Sequence, residues 1–388
     1  MTPAGVLQAS PDPQDLRDGR LRILFIPDTE TSATSERTPT VLRTLRQKHD
    51  VVGLRPPWDR IIYSPARAKW PRALLYLLDK VVLGLRGVLL ARRHGAEVVF
   101  CETAHHAVAG LVVARIRGLR CVWDSHGNGR LFYESLGKSR RSVRLITAFE
   151  KFLGKRVDGL ITVSPVDADA YSQMGLPPSK IHVIPLCVNL RQIDAAATPQ
   201  ERRTPRGERP TILFFGSFGY EPNREALVFV NDVLAPDLER RGIDCEIRIA
   251  GRDIPEIRFH PLIRPLGFVP DIYTCIRDAD LCIVPVRRGV GVLTKVIDSM
   301  AVGTPLVVFE FATRGIPEVH HGVHAYVAKT NEEFLEYVAR LLVDPEAGHA
   351  MRREARRLAE QRFDWDAYSP QLDAIVRGTT RPSGGADR

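Results

Sequence analysis

Short apolar runs alternate with amphipathic stretches over most of the chain. The first run, residues 21–26 (LRILFI), leads through a polar turn, PDTETSATSERT, into a helical pattern at 39–48. A short strand at 51–54 precedes a long helical pattern at 70–94. Further apolar runs at 96–101 (AEVVFC), 120–123 (RCVW), 159–164 (GLITVS) and 181–184 predict strands, with helices at 107–116, 142–156 and 166–174. Strands that are nearly all apolar and that alternate with helices predict a parallel sheet covered on both faces.

The texture changes at 189–210, NLRQIDAAATPQERRTPRGERP, which is polar, charged and poor in large apolar groups. Such a stretch reads as a linker. The alternation then restarts, with strands at 211–215 (TILFF), 245–250, 263–266, 281–285 and 305–309 and helices at 223–241, 271–279, 295–302, 331–342 and 345–361. The expected organisation is an N-terminal tail (1–20), a first α/β domain (21–188), a linker (189–209) and a second α/β domain (210–364). A C-terminal segment (365–388) is expected to pack back toward the first domain and end in a tail. Open parallel sheets bind ligands outside the carboxyl ends of their strands. With two such halves, the expected site is the cleft between them.

A chain of 388 residues suits two domains better than one core. Its 44% hydrophobic and 26% charged content is ordinary for a soluble enzyme. The formal net charge of +9 favours anionic partners, whether nucleic acid, anionic lipid or phosphorylated small molecules, without choosing among them. No zinc finger, RNA-binding aromatic signature or basic zipper is visible, so nucleic acid is not an expected partner. The cysteines at 101, 121, 187, 245, 275 and 282 form no C-x-x-C pair and read as reduced thiols of a cytosolic protein. The start has no apolar signal-peptide core, and no apolar run reaches the roughly 20 residues that span a bilayer. A cytoplasmic protein is expected, with peripheral attachment to the inner membrane face as a further expectation. That expectation comes from 70–94, WPRALLYLLDKVVLGLRGVLLARRH. Leu74, Leu75, Leu78, Val81, Val82, Leu85, Val88 and Leu89 make a wide apolar face. Arg67, Lys69, Arg72, Lys80, Arg86, Arg92 and Arg93 stand against Asp79 alone. Such a helix can lie on an anionic membrane, or be an ordinary core helix with a solvated face.

Candidate chemistry concentrates in 284–305, VPVRRGVGVLTKVIDSMAVGTP. A strand ends near Pro285, Gly289 and Gly291 permit tight turns, and a helix opens near Thr294 with Lys295 in its first turn and Asp298 one turn later. The free N–H groups and positive dipole end of a helix N-terminus suit a phosphate, and a lysine adds a point charge. Arg287 and Arg288 add to the local positive potential, and Asp298 could accept hydrogen bonds from ribose hydroxyls. The spacing is neither that of a P-loop nor the dinucleotide G-x-G-x-x-G. By itself it also fits a strand–turn–helix without a ligand.

The pattern R-x-G-x-G-x-x-x-K-x-x-(D/E)-x-M-A-x-G-x-P resembles the donor-binding signature of family 4 glycosyltransferases. The resemblance extends to FFGSFGYEPNREA (214–226), GFVPD (267–271), IRDADLCIVPV (276–286), GVHAYVAKTNEEF (322–334), WDSHGN (123–128) and most of 149–189. It implies the GT-B fold, two Rossmann-like parallel-sheet domains facing across a cleft. It also implies retaining transfer of a sugar from a nucleoside diphosphate donor to a glycan, lipid-linked or other acceptor. No cofactor is implied beyond that donor. The family pattern assigns Asp298 to the ribose and Lys295, with Arg288, to the departing diphosphate. Gly216, Ser217, Gly289, Gly291, Val292 and Leu293 fall in the loops that approach the donor, and Gly267 and Phe268 in the loop near the base. His126 would face the donor sugar from the acceptor-side domain, with Asp124 either orienting its ring or capping the turn.

Two positions depart from the pattern. Many members carry a glutamate where this chain has Val290, and an arginine where it has Ser217. The first departure leaves the donor-sugar contacts open. The second leaves Lys295 and Arg288 as the main phosphate charges. Glu102, His105 and His106 follow the strand ending at Cys101 and face the expected cleft, and Glu150 lies in a helix; local structural roles are the first reading of all four, with a role in the cleft as the alternative for the first three. No D-x-D motif stands in a convincing loop, so no metal ligand is expected. A non-catalytic nucleotide-sugar-binding protein and a sugar epimerase of the same fold remain alternatives. A dehydrogenase is disfavoured because no glycine fingerprint follows LRILFI.

Overall fold

The computed structural model describes residues 19–27, 37–55, 72–195, 209–289, 292–344 and 346–379, with the backbone alone at 72–77. The chain divides into two compact units. Unit 1 takes residues up to Pro185 and those from Tyr368 onward; unit 2 is Leu186–Ala367.

Unit 1 runs β1 (Arg22–Ile26), α1 (Arg37–Lys48), β2 (Asp50–Gly53), α2 (Arg72–His94), β3 (Val98–Glu102), α3 (Thr103–Arg117) and β4 (Arg120–Asp124). It continues through α4 (Gly129–Ser135), α5 (Arg140–Gly154), β5 (Gly159–Thr162), α6 (Pro165–Gln173) and β6 (Ile181–Val183). The sheet is parallel, in the order β2-β1-β3-β4-β5-β6. Burial of β1, β3, β4 and β5 matches their near-continuous apolar sequences, because helices cover both faces. Phe25 stacks on Phe100 with ring centres 5.4 Å apart, and Trp123 meets Tyr171 edge-on at 5.7 Å. The short helix α4 was not anticipated, since none of its residues is buried and no apolar period marks it.

Unit 2 opens with α7 (Leu190–Ala195), inside the stretch read as linker. Two apolar residues suffice to hold it. Leu190 and Ile193 are buried, Arg277 donates to the Ile193 carbonyl at 3.1 Å, and Arg356 bonds both oxygens of Asp194 at 2.9 Å. Then follow β7 (Thr211–Phe215), α8 (Glu221–Phe229), a π-helical turn (Val230–Leu234), α9 (Ala235–Arg240), β8 (Glu246–Ala250) and β9 (Ile263–Gly267). The helix expected at 223–241 is therefore three pieces. Pro236 has no amide hydrogen to give, and the wider turn, in which Ala235 N–H bonds the Val230 carbonyl, absorbs the missing link. The unit continues with α10 (Ile272–Arg277), β10 (Leu281–Val284), α11 (Thr294–Val302), β11 (Leu306–Phe309), β12 (Tyr326–Ala328), α12 (Asn331–Val343) and α13 (Glu346–Arg362). The last helix, α14 (Trp365–Arg377), passes into unit 1 at Tyr368. There Asp373 lies 2.8 Å from His49 and Gln371 donates to the Val183 carbonyl at 3.2 Å.

The second sheet is also parallel, in the order β12-β11-β10-β7-β8-β9. Counted within the unit this is the doubly wound order 3-2-1-4-5-6 read from the other edge, with the direction of winding reversing between β7 and β10. Phe229, Phe309 and Phe334 pack together in its core, with ring centres 4.5 to 5.5 Å apart.

Candidate functional site

The reversal between β7 and β10 leaves a crevice at their carboxyl ends, where doubly wound sheets bind ligands. The loop after β7 carries Gly216 and Ser217; the loop after β10 carries Arg287, Arg288 and Gly289. Gly216 has φ +154°, and a Cβ there would lie 2.9 Å from Asn223 Nδ2 and 3.1 Å from Lys295 Nζ. At Gly289, φ +137°, a Cβ would meet the Tyr220 hydroxyl at 2.5 Å. Gly289 thus lets the second loop close on Tyr220, and Gly216 lets Asn223 and Lys295 close on the first. The turn after β8 and the end of β9 join the row: Gly216 N–H bonds the Ala250 carbonyl at 3.0 Å, and Gly251 N–H bonds the Gly267 carbonyl at 2.8 Å.

Helix α11 opens without a side-chain cap at Leu293, so its first amides keep donors for a ligand. Val292 is buried and Leu293 half-buried. Lys295, in the first turn, is buried; its Nζ donates to Asn223 Oδ1 at 2.7 Å and lies 5.2 Å from the centre of the Phe214 ring. Asn223 Nδ2 in turn donates to the Ser217 carbonyl at 2.8 Å. One amide side chain thus ties the lysine to the glycine turn. Burial pulls the Lys295 pKa down to about 7, against the opposing pull of Asp298. An ammonium group in that balance gains strongly from an anion placed beside it. Asp298 accepts a hydrogen bond from the Tyr273 hydroxyl at 3.3 Å. Phe268 follows Gly267 and is 59% exposed, and the Arg252 guanidinium lies 4.7 Å from its ring centre.

The two arginines before Gly289 are engaged elsewhere. Arg287 lies over the Phe309 ring at 3.7 Å and donates to Asn331. Arg288 bonds Glu225 and lies 3.2 Å from Glu221, both on α8. The structure therefore brings Gly216, Ser217, Gly289 and Lys295 together, with Asp298 one turn on, and turns the Arg288 guanidinium toward the α8 carboxylates. Val290 and Gly291 lie outside the described residues. Asn223 and Tyr273 were not singled out in the sequence. Asn223 reaches Lys295 across 72 positions, and no local pattern signals that pair.

Unit 1 gathers a different cluster at the ends of β3 and β4. Register pairs Glu102 with Asp124, so two buried carboxylates stand side by side. Two cations lie against them. Arg37, from α1, bonds both Asp124 oxygens at 2.9 Å and donates to the Ile184 and Pro185 carbonyls. His126 Nε2 lies 3.7 Å from an oxygen of each carboxylate, with its ring 14% exposed. Thr38 donates to Glu102 at 2.8 Å. Burial opposes the charge on His126, but Asp124 and Glu102 together lift its pKa to about 10. Burial likewise raises Asp124, yet Arg37 and His126 hold it well below the usual carboxylate range.

The His126 backbone is left-handed, φ +52°, and the turn after it is pinned. Asn128 N–H bonds Asp167 at 2.8 Å, and Gly129 N–H bonds both Glu150 oxygens at 3.0 Å. Burial raises the Glu150 pKa to about 7, despite the Gly129 amide and the Tyr171 hydroxyl that donate to it. His105 is exposed, whereas His106 is buried with Nδ1 3.2 Å from the Thr103 hydroxyl.

Ligand atoms of Glu102, Asp124 and His126 lie within 4.8 Å of one another, a spacing that a metal ion could bridge. The chemistry of the set fits a metal poorly. Arg37 already bonds both Asp124 oxygens, and an imidazolium has no lone pair to give. A charged His126 is also a hydrogen-bond donor rather than a base at neutral pH.

Two family models match the chain: "Glycosyl transferase 4-like domain" over residues 11–187 and "Glycosyl transferases group 1" over 209–344. A comparison with curated proteins finds no match. Among solved structures, the sucrose-phosphate synthase of Thermosynechococcus elongatus superposes with a TM-score of 0.69 at 15% identity, covering 92% of this chain and 99% of that one. The Anabaena protein HepE in complex with UDP gives 0.68 at 15% identity, covering 92% and 100%. The trehalose 6-phosphate synthase of Burkholderia multivorans gives 0.66 at 14%, covering 92% and 96%. At these identities the likeness shows the fold, the two-domain α/β GT-B architecture.

Proposed function

The chain belongs to the group 1 glycosyltransferases, and from that premise we propose that it moves a sugar from a nucleoside diphosphate donor to a glycan, a lipid-linked sugar or another acceptor, with retention at the anomeric carbon and without a metal ion. One observation carries the reading: Lys295 stands in the first turn of an uncapped helix at the switch point of the second sheet. Breaking the anomeric C–O bond builds negative charge on the leaving diphosphate. A cation and helix amides fixed beside it stabilise that charge more in the transition state than in the ground state. An arriving diphosphate raises the Lys295 pKa and so recruits the full positive charge where the chemistry needs it. Asp298 takes the ribose hydroxyls, and the exposed ring of Phe268 offers a face to the base. In unit 1, His126 acts as a charged hydrogen-bond donor to the sugar.

Structures of HepE hold UDP and, separately, UDP-glucose, which makes UDP the first nucleotide to try. Calorimetry with UDP and GDP, followed by a panel of nucleotide sugars with and without acceptors, tests the reading. Binding and turnover that survive a chelator, with the anomeric configuration of the donor kept in the product, are expected. Failure of the wild-type protein to bind any nucleoside diphosphate would sink the reading. Tight binding without turnover across the panel would favour a non-catalytic role.

A further inference from the structure

Helix α2 buries an ion pair on one face and exposes a row of large apolar side chains on the other. Its buried face holds Asp79 and Lys80, joined at 2.9 Å, beside Leu83 and Ala91. Its solvent face carries Leu78, Val81, Leu85 and Leu89, with Leu85 62% exposed. These positions repeat at three- and four-residue steps, so they form one stripe about 16 Å long at 1.5 Å rise per residue. Scattered single apolar residues on a surface need no explanation, but a continuous stripe does.

The stripe continues on neighbouring helices. Right-handed crossovers in the strand order β2-β1-β3-β4-β5 place α2, α3 and α5 on one face of the sheet. Helix α2 packs along α3, and α3 against α5. Helix α3 exposes Val112 and Ile116, and α5 exposes Leu145 and Phe152, with Ile116 at 61% and Leu145 at 72%. The charges among them have one sign. Arg86, Arg92, Arg93, Arg115 and Arg144 are exposed, while Asp79 and Glu150, the acids of these three helices, are buried. Among the described residues no helix is long and apolar enough to cross a membrane. Exposed leucines between arginines, with no exposed acid among the described residues of the three helices, match an anionic bilayer, which takes the apolar side chains below its headgroups and the guanidiniums among its phosphates. A protein partner would need a facing acidic and apolar surface, which nothing in this chain's described face supplies to a second copy.

We propose that the α2–α3–α5 face of unit 1 docks on the surface of an anionic lipid bilayer. The inference is independent of the sugar-transfer chemistry, which rests on unit 2 and His126. The full chain is tested by co-sedimentation with vesicles of phosphatidylglycerol and phosphatidylcholine in equal parts, and with phosphatidylcholine alone. Binding to the anionic vesicles, weak binding to the neutral ones and weakening by salt are expected. The double variant Leu85→Glu/Leu89→Glu should lose most of the binding, and Arg92→Ser/Arg93→Ser should weaken it about fivefold per arginine removed. Both variants change exposed side chains and should keep the wild-type circular dichroism and nucleotide binding. Equal binding to the two vesicle types would overturn the proposal, as would wild-type binding by the leucine variant. So would a concentration-dependent dimer in sedimentation velocity that the leucine variant abolishes, because a second copy would then be the occupant.

Discussion

Lys295 lives under opposed demands, and its titration separates them. Its pKa is about 7 in the folded chain against 10.5 for the free side chain. Between these values the side chain is protonated in the unfolded chain and neutral in the folded one, so the contribution of Lys295 to folding stability should rise with pH across that window, by about 1.4 kcal/mol per pH unit, with the cost fully present below pH 7. Denaturant melts of wild type and Lys295→Met across the window check this: the difference in stability between the two proteins should change with pH by that slope. Nucleotide affinity should run the other way, falling as pH rises above 7 and the ammonium is lost. Lys295→Ala should lower turnover by at least about tenfold, or about 1.4 kcal/mol of barrier, with circular dichroism unchanged. A wild-type rate would remove Lys295 from the mechanism. His126 has the reverse sign. Its pKa of about 10 lies above the free value of 6.5, so its ion pairs stabilise fully below pH 6.5, and that contribution fades as pH rises through 10. The stability difference between wild type and His126→Gln should shrink over that window. The sequence made the site in unit 2 readable because Gly289, Lys295 and Asp298 sit in one local segment. It hid the charge balance in unit 1, since Arg37 finds Asp124 only across 87 positions.

At the scale of elements, the apolar runs were readable wherever a strand is buried on both faces, as in β1, β3, β7 and β10. They were silent where burial is partial or the element is short. Strand β12 has three residues at the sheet edge, and α14 carries Pro370 inside it, which breaks the expected pattern. The close meeting of β7, α8 and α11 was not readable either, although its glycine was, because a glycine alone does not say what approaches it. That meeting makes a specific prediction. Gly216→Ala puts a methyl within 2.9 Å of Asn223 Nδ2 and 3.1 Å of Lys295 Nζ, at a φ that an L-residue rarely adopts. Overpacking of this kind costs about 1–3 kcal/mol, and here it should also separate Lys295 from Asn223. Thermal melts and calorimetry should show lower stability together with weaker nucleotide binding. A stable variant with full affinity would mean that the Asn223 link does not position the lysine.

For the whole molecule, the division into two units means that the two surfaces argued above belong to different cores. Unit 2 holds the crevice between β7 and β10; unit 1 holds the face of α2, α3 and α5. A ligand stabilises the structure that binds it, by about 2.7 kcal/mol at a hundredfold excess over Kd. Hydrogen exchange can read where that energy arrives, because local opening reports each cooperative segment separately. Nucleotide should slow exchange in peptides from β7, α8 and α11 and leave the peptides of α2 and α3 unchanged. Anionic vesicles should do the converse. Protection of both sets by either ligand would mean that the two units respond as one body, and the assignment of separate tasks to separate cores would have to be given up.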